Sequence, residues 1–294
     1  MTLTGVSWQG ESGEPQMTLV VLLPASNEED YLGSCLEALR EQRDTPPLYV
    51  IVSANGCSDG TVAVARGQVA AFVVRGHALV CLDSPVPDKS AALNRAEAAI
   101  PAALASAPRI YLDADVICAP DICAQLARAL DIEQPSFATG RLLVSRSPSA
   151  ITRLYTAAWM QTSFGRSKAL GAGLYGVNAA GRRRWQYFPA MISDDTFVRW
   201  SFAPHERVEV PAKFYWPMAA GPAALIRVRS RQDHLVQQVR ERFPELERNE
   251  DVRRPNFRSL STLALRQPLA FMVYSAICLA ARLCRKDGYW ARGR

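Results

Sequence analysis

Two carboxylates close an apolar run. Residues 109–116 read Arg-Ile-Tyr-Leu-Asp-Ala-Asp-Val, so Asp113 and Asp115 follow a strand-forming stretch with only Ala114 between them. Carboxylates at the end of a buried strand are costly unless they meet a cation or stay hydrated. A hard divalent ion such as Mg2+ takes one or two carboxylates and completes its shell with water and substrate phosphates. The stretch therefore reads as a metal–diphosphate site at the carboxyl end of a strand, where open α/β sheets bind ligands. For an isolated pair of acids, a solvated turn is the rival reading.

Other residues suit the same chemistry. Lys89 falls in the first turn of an Ala-rich helix that begins at Asp88. A helix N-terminus disfavours a cation, so a lysine there makes sense beside a phosphate, with a solvated lysine as the rival reading. Asp194 and Asp195 follow Ser193, a good helix N-cap, and acids in a first turn stabilise the helix. Arg227, Arg229 and Arg231 occupy alternate positions. In an extended segment all three would point one way and suit a diphosphate, with a solvated basic face as the rival.

The elements that must position these groups follow a repeated pattern. Residues 18–24 form a continuous apolar run bounded by Pro24, which fits a buried parallel strand. They open into 25–30, where Ser26 or Asn27 can cap a helix carrying Leu32, Cys35, Leu36 and Leu39. Residues 48–52 are a second strand, followed by a polar loop in which Ser58 or Asp59 can cap the next helix. Residues 77–82 are a third strand, and the stretch ending in Asp113 is the fourth. Four β-α repeats with every polar loop at a strand's carboxyl end predict an α/β fold with a parallel sheet and one ligand crevice. Residues 137–144 suit a fifth strand and 149–164 a helix. The glycine-rich stretch 165–181 suits either close backbone approach to a ligand or an ordinary strand–turn element. Neither G-x-G-x-x-G nor G-x-x-x-x-G-K-[ST] occurs, which disfavours a dinucleotide fold and a P-loop.

Composition sets outer limits. The 294 residues are 49% hydrophobic and 21% charged, ordinary for a globular chain, with a net charge of +6. That balance suits anionic ligands such as nucleotides, or an anionic membrane surface, and requires no nucleic acid. Seven cysteines without a C-x-x-C spacing and three scattered histidines suggest neither a disulfide framework nor a zinc site. Reduced thiols fit a cytoplasmic location. Residues 1–16 read as a flexible leader without signal-peptide character. The apolar segment Pro268–Leu283 is shorter than the roughly 20 residues of a membrane span. Arg266, Arg282, Arg285 and Lys286 flank it, with Tyr289 and Trp290 beyond. An apolar helix edged by cations and aromatics suits a membrane interface, against a buried core helix or a dimer face.

Together these segments resemble the family 2 glycosyltransferases, inverting enzymes of the GT-A fold. The resemblance covers roughly residues 18–235. It rests on Pro24 to Glu29, on the loop Ala54-Asn-Gly-Cys-Ser-Asp-Gly-Thr61, on Asp88-Lys-Ser-Ala-Ala-Leu-Asn94, on Asp113 and Asp115, and on the pair Asp194–Asp195. Each is weak alone, but five in this order form a specific signal.

The resemblance implies an α/β, Rossmann-like, mostly parallel sheet with flanking helices. Residues 17–235 would be the transferase domain; 236–294, beyond the resemblance, are a basic and apolar helical region whose apolar helix suits a membrane interface, a core or a dimer face. Asp115, assisted by Asp113, would hold Mg2+ or Mn2+ on the diphosphate. Lys89 would lie near the phosphates, while Pro24, Asn27, Glu28, Asn55 and Asp59 would bind the nucleotide sugar. Asp195 would be the general base, supported by Asp194. The implied reaction moves a single sugar from a nucleotide-sugar donor to a hydroxyl acceptor, such as a glycan or glycolipid in exopolysaccharide assembly. A UDP-sugar is the first donor expected, with GDP- and dTDP-sugars as alternatives, at the cytoplasmic face of the inner membrane. A non-catalytic nucleotide-sugar-binding protein and a sugar-phosphate nucleotidylyltransferase are the competing classes.

The chain departs from the family pattern in three places. Ala54-Asn55 stands where two acids are usual. Asp194 stands where Glu is usual. The basic segment lacks the Q-x-x-R-W of processive synthases, which favours single transfer.

Overall fold

The computed structural model describes residues 17–190, 193–252 and 257–284. The expected leader and the distal residues Arg285, Lys286, Tyr289 and Trp290 lie outside them.

The first half alternates as its sequence predicts. Strand β1 (Leu19–Ala25) leads to helix α1 (Glu29–Arg40), and β2 (Leu48–Asn55) to the short helices α2 (Thr61–Gly67) and α3 (Val69–Val74). Strand β3 (Ala78–Ser84) leads to α4 (Lys89–Ala98), then β4 (Arg109–Leu112) runs to the acid pair. After β5 (Ile117–Cys118) and α5 (Ile122–Leu130) come β6 (Phe137–Val144) and α6 (Ala150–Trp159). Strand β7 (Leu174–Val177), α7 (Ala179–Arg182), α8 (Asp194–Trp200) and β8 (Arg207–Trp216) complete the sheet region. Helices α9 (Pro222–Arg242), α10 (Phe257–Arg266) and α11 (Pro268–Leu283) follow.

The eight strands form one sheet in the order β3-β2-β1-β4-β7-β6-β8-β5. Strands β1 to β4 are mutually parallel, with Leu22 opposite Tyr111 and Ala25 opposite Ala54. That register brings the loops after β1, β2 and β4 to one edge. The other half is mixed. Strand β7 runs antiparallel to both β4 and β6, while β8 is parallel to β6 and antiparallel to β5. The expected parallel architecture therefore holds for strands β1 to β4 and changes at β7.

Burial follows the two faces of each strand. Leu19, Val21 and Leu23 pack with Leu32 and Leu36 of α1 on one side. Val20 and Leu22 pack with Leu93 of α4 and with Phe197 and Trp200 of α8 on the other. Such period-two burial on both faces gives a strand that is apolar throughout. Helix α11 packs against α6 and α9, placing Ile277 in a cluster with Tyr155, Trp159 and Leu225. Helix α9 runs through the expected 235/236 boundary, so that division falls inside one helix.

The glycines of 165–181 make room for protein, not ligand. A Cβ on Gly171 would lie 2.6 Å from Phe137, and one on Gly176 would lie 2.9 Å from Leu130. Gly173 has φ +76°, and a Cβ there would meet Trp216 at 2.9 Å. Its carbonyl accepts the Asp113 N–H at 2.9 Å, which fixes the first residue of the acid pair.

Candidate active site

A cleft of about 540 Å³ opens over the carboxyl ends of β1, β2 and β4 and extends between α4, α6, α8 and α9. Pro24, Asn27, Glu28, Asn55, Lys89, Asp113, Asp115, Asp194 and Asp195 all line it. Asp59 does not. Its Oδ1 accepts the Thr61 N–H at 3.1 Å and its Oδ2 the Glu29 N–H at 3.3 Å. It joins two loops behind the cleft instead of contacting a ligand.

The first two loops are cross-tied. Asn27 has φ +56°, a conformation an asparagine tolerates. Its Oδ1 accepts the Ser58 N–H at 2.7 Å. The Glu28 N–H donates to Thr61 Oγ1 at 2.8 Å, and Glu29 Oε2 accepts the Gly60 N–H at 2.6 Å. Neither Ser26 nor Asn27 caps α1, whose cap position is Glu28 without a side-chain bond. The expected cap is thus corrected to a loop-to-loop tie.

Asn55 is 1% exposed, and its Nδ2 donates to Ala25 O at 2.9 Å. Those bonds orient the amide, so Oδ1 is the atom left without a partner.

The acids converge on Lys89. Its Nζ lies 2.9 Å from Asp113 Oδ1 and 2.9 Å from Asp194 Oδ1. Burial alone would lower the Lys89 pKa, but Asp113 and Asp194 outweigh it and hold the ammonium well above its ordinary value. Asp88 caps α4 through the Ala91 N–H at 3.0 Å, offsetting part of the cost of a cation in that turn. Asp194 is 7% exposed and also accepts from Tyr175 Oη at 3.1 Å. Tyr175 stacks on Tyr111 at 4.9 Å, and Tyr111 donates to Glu97, which pairs with Arg109 and Arg182.

Asp195 is half-buried. Burial and the neighbouring Asp194 charge raise its pKa, against an opposing hydrogen bond from Ser193. Ser193 does not cap α8 through its side chain. Its hydroxyl donates to Asp195 Oδ1, which also accepts the Thr196 N–H at 2.7 Å. A carboxylate raised toward neutrality and aimed at a cleft suits a general base.

The arginines are rearranged relative to expectation. Residues 227–231 lie in α9, which starts at Pro222 after Gly221, and not in an extended segment. Residues two apart do not share a helix face. Arg227 is exposed outside the cleft, while Arg229 and Arg231 line it. Arg229 pairs with Asp233 at 3.1 Å.

The lining carries seven carboxylates (Glu28, Asp30, Asp88, Asp113, Asp115, Asp194, Asp195) against three cations. A nucleoside diphosphate entering such a cleft is repelled unless cations come with it. Asp113 already holds one positive charge, so the position suits a cation. No group of three or more His, Cys, Asp or Glu side chains forms a cage among the described residues. Two carboxylates with an open side suit Mg2+ or Mn2+ whose shell phosphates complete.

Residues 20–188 match the family model for glycosyl transferase family 2. The chain belongs to that family. This family 2 glycosyltransferase matches no curated protein sequence. Among solved structures it resembles a mannosyltransferase from Pyrobaculum calidifontis in complex with GDP-Man and Mn2+. That pair shares 19% identity at TM-score 0.55, over 92% of this chain and 76% of the other. It also resembles glucosyl-3-phosphoglycerate synthase from Mycobacterium tuberculosis in complex with phosphoglyceric acid. Here identity is 18% at TM-score 0.50, over 77% and 80% of the two chains. The family 2 enzyme therefore has the GT-A fold expected from its motifs.

Tyr175 was not singled out from sequence as a site residue. Its position beside Gly173 and Gly176 is visible there, but its partner Asp194 is set by the antiparallel pairing of β7 with β4.

Proposed function

We propose that the enzyme is a metal-dependent, inverting transferase that moves one sugar from a nucleotide-sugar donor to a hydroxyl acceptor. The observation that carries this reading is the single cleft in which Lys89 joins Asp113 to Asp194. Donor-side acids and base-side acids thereby face one space. Asp115 and Asp113 would hold Mg2+ or Mn2+. When bound, that cation offsets charge growing on the departing diphosphate. Asp195 takes the proton from the acceptor hydroxyl, on the face opposite the leaving group, as inversion requires. Asp194, held by Lys89 and Tyr175, keeps the pair's charge fixed beside it. Asn55, Asn27, Glu28 and Pro24 bind the nucleoside, and a UDP-sugar is the first donor to test, with GDP- and dTDP-sugars beside it. The GDP-Man and Mn2+ bound by the mannosyltransferase relative support keeping guanosine in that panel.

The acceptor is a glycan or glycolipid met at an anionic membrane surface on the cytoplasmic side. No helix among the described residues is long and apolar enough to cross a membrane. Helices α10 and α11 nevertheless expose Leu265, Leu269, Met272, Leu279 and Leu283, each between 57% and 83% accessible. The last four lie along one side of α11, opposite its buried Ala270, Ile277 and Ala281, with Arg266 and Arg282 exposed at the ends. An apolar stripe edged by cations suits the headgroup boundary of a bilayer.

The deciding experiment is a thermal-shift panel of UDP, GDP and dTDP, each with and without Mn2+. A ligand of the folded state raises the melting temperature by mass action. One nucleotide should give a Mn2+-dependent rise that Asp115→Ala abolishes. A flat panel would sink the donor-site reading.

A further inference from the structure

We propose that Lys89 gates the metal: its ammonium holds Asp113 until a diphosphate arrives, so that cation and nucleotide bind together or weakly. This rests on the reading of Asp113 and Asp115 as metal ligands. The Nζ sits 2.9 Å from Asp113 Oδ1, in salt-bridge contact with one of the two acids that would hold the metal. A divalent ion at Asp113 would share that carboxylate with an ammonium, and the two cations repel at such separations.

Lys89 has a route out and an anchor. Its side chain is 39% exposed and faces the cleft, so it can swing without unfolding α4. Its second partner, Asp194, is more buried than Asp113, and Tyr175 holds that carboxylate from another side. When Lys89 leaves Asp113, the pairing with Asp194 remains available, so the base-side acids are not left uncompensated. A diphosphate supplies anionic oxygens for both cations at once and removes the conflict. Metal alone offers nothing to draw the ammonium away. The excess of carboxylates in the lining would otherwise attract free divalent ions indiscriminately, and Lys89 counters that attraction at the one position where a metal is needed.

The test is Mn2+ affinity, read from the electron-paramagnetic signal of free Mn2+, with no turnover involved. The proteins are wild type, Lys89→Met, Lys89→Met with Asp194→Asn, and Asp115→Ala, each without nucleotide and with UDP or GDP. The double variant removes the buried carboxylate that Lys89→Met strands, and circular dichroism verifies its fold. Without nucleotide, removal of Lys89 should tighten Mn2+ binding at least about tenfold. The gain in Mn2+ affinity on adding nucleotide should shrink by about the same factor, because a bound diphosphate already draws Lys89 off Asp113 in the wild type. Asp115→Ala should abolish both. Equal nucleotide-free affinities in wild type and the folded double variant, with nucleotide-dependent Mn2+ binding intact, overturn the gate alone. No Mn2+ binding in any protein, even with nucleotide, overturns the metal-site reading and the gate with it.

Discussion

Tyr175 donates to Asp194 Oδ2 across 3.1 Å, and its ring lies stacked on Tyr111 at 4.9 Å. The phenol is buried, and burial together with the Asp194 charge pushes its pKa well up, so it remains a donor at any working pH. Asp194 thus accepts a hydrogen bond on one oxygen and faces an ammonium on the other. Tyr175→Phe keeps the stack and deletes only the bond, a charge-assisted one worth roughly 1.5–3 kcal/mol. The expected outcome is a kcat lower by about tenfold with the donor KM unchanged, since Tyr175 contacts Asp194 of the proposed base pair. Steady-state kinetics against donor and acceptor separately check this. An equal rise in donor KM would move Tyr175 to the donor side.

The raised pKa of Asp195 has two signed consequences. In the proposed role of base it must be ionised, so kcat/KM should fall with decreasing pH through an acidic limb above the ordinary carboxylate range of about 4. For stability the sign is opposite. A carboxyl whose folded pKa exceeds its unfolded one carries no penalty below the unfolded value and the full penalty above the folded one. Asp195→Asn keeps an acceptor for Ser193 and Thr196 and removes that penalty. The variant should be inactive yet melt higher than wild type at pH 8, with the difference gone below about pH 4. Paired melting curves at the two pH values decide it.

Asn55→Asp restores the residue type usual for the family but should destabilise this chain. The amide Nδ2 donates to two backbone carbonyls, Ala25 O at 2.9 Å and Ser53 O at 3.4 Å. A carboxylate in the same place would set negative oxygen against both in a site 1% exposed. An unpaired buried charge costs roughly 3–5 kcal/mol. Chemical denaturation should register a loss of that size, and a neutral result would mean that the loop rearranges around the acid.

The exposed stripe of α11 makes a separable prediction. Leu279→Glu with Leu283→Glu alters two side chains that are 60% and 79% exposed, so the melting temperature should hardly move. Co-sedimentation with phosphatidylglycerol vesicles should be lost, while wild type should sediment with those vesicles and not with phosphatidylcholine alone. Wild type that ignores both would leave the stripe without a membrane role.

What the sequence disclosed follows from how local each feature is. Strands β1, β2 and β4 announce themselves because both faces are buried, giving unbroken apolar runs that end in polar loops. Asp113 and Asp115 were legible for the same reason, as carboxylates where a run stops, and Asp194 and Asp195 as acids in the first turn of a helix. Strand β8 was not, because Pro211 interrupts its alternation and its pairing with β6 shifts register between Thr139 and Arg141. The arginines at 227, 229 and 231 were misread as extended, since alternation of charge alone does not distinguish a strand from a helix that Pro222 begins. The Lys89 bridge joins residues 24 and 105 positions apart, a juxtaposition that only the folded topology creates.

The ties between the first two loops couple the two sides of the proposed nucleoside pocket. Asn27 accepts from Ser58, Glu28 donates to Thr61 and Glu29 accepts from Gly60, so residues 27–29 and 58–61 are fastened rung by rung. Neither loop can change shape while the other stands still. A transplant of one loop from a relative would carry half of a matched set, and its mismatch would surface as lost folding before any new preference could be read.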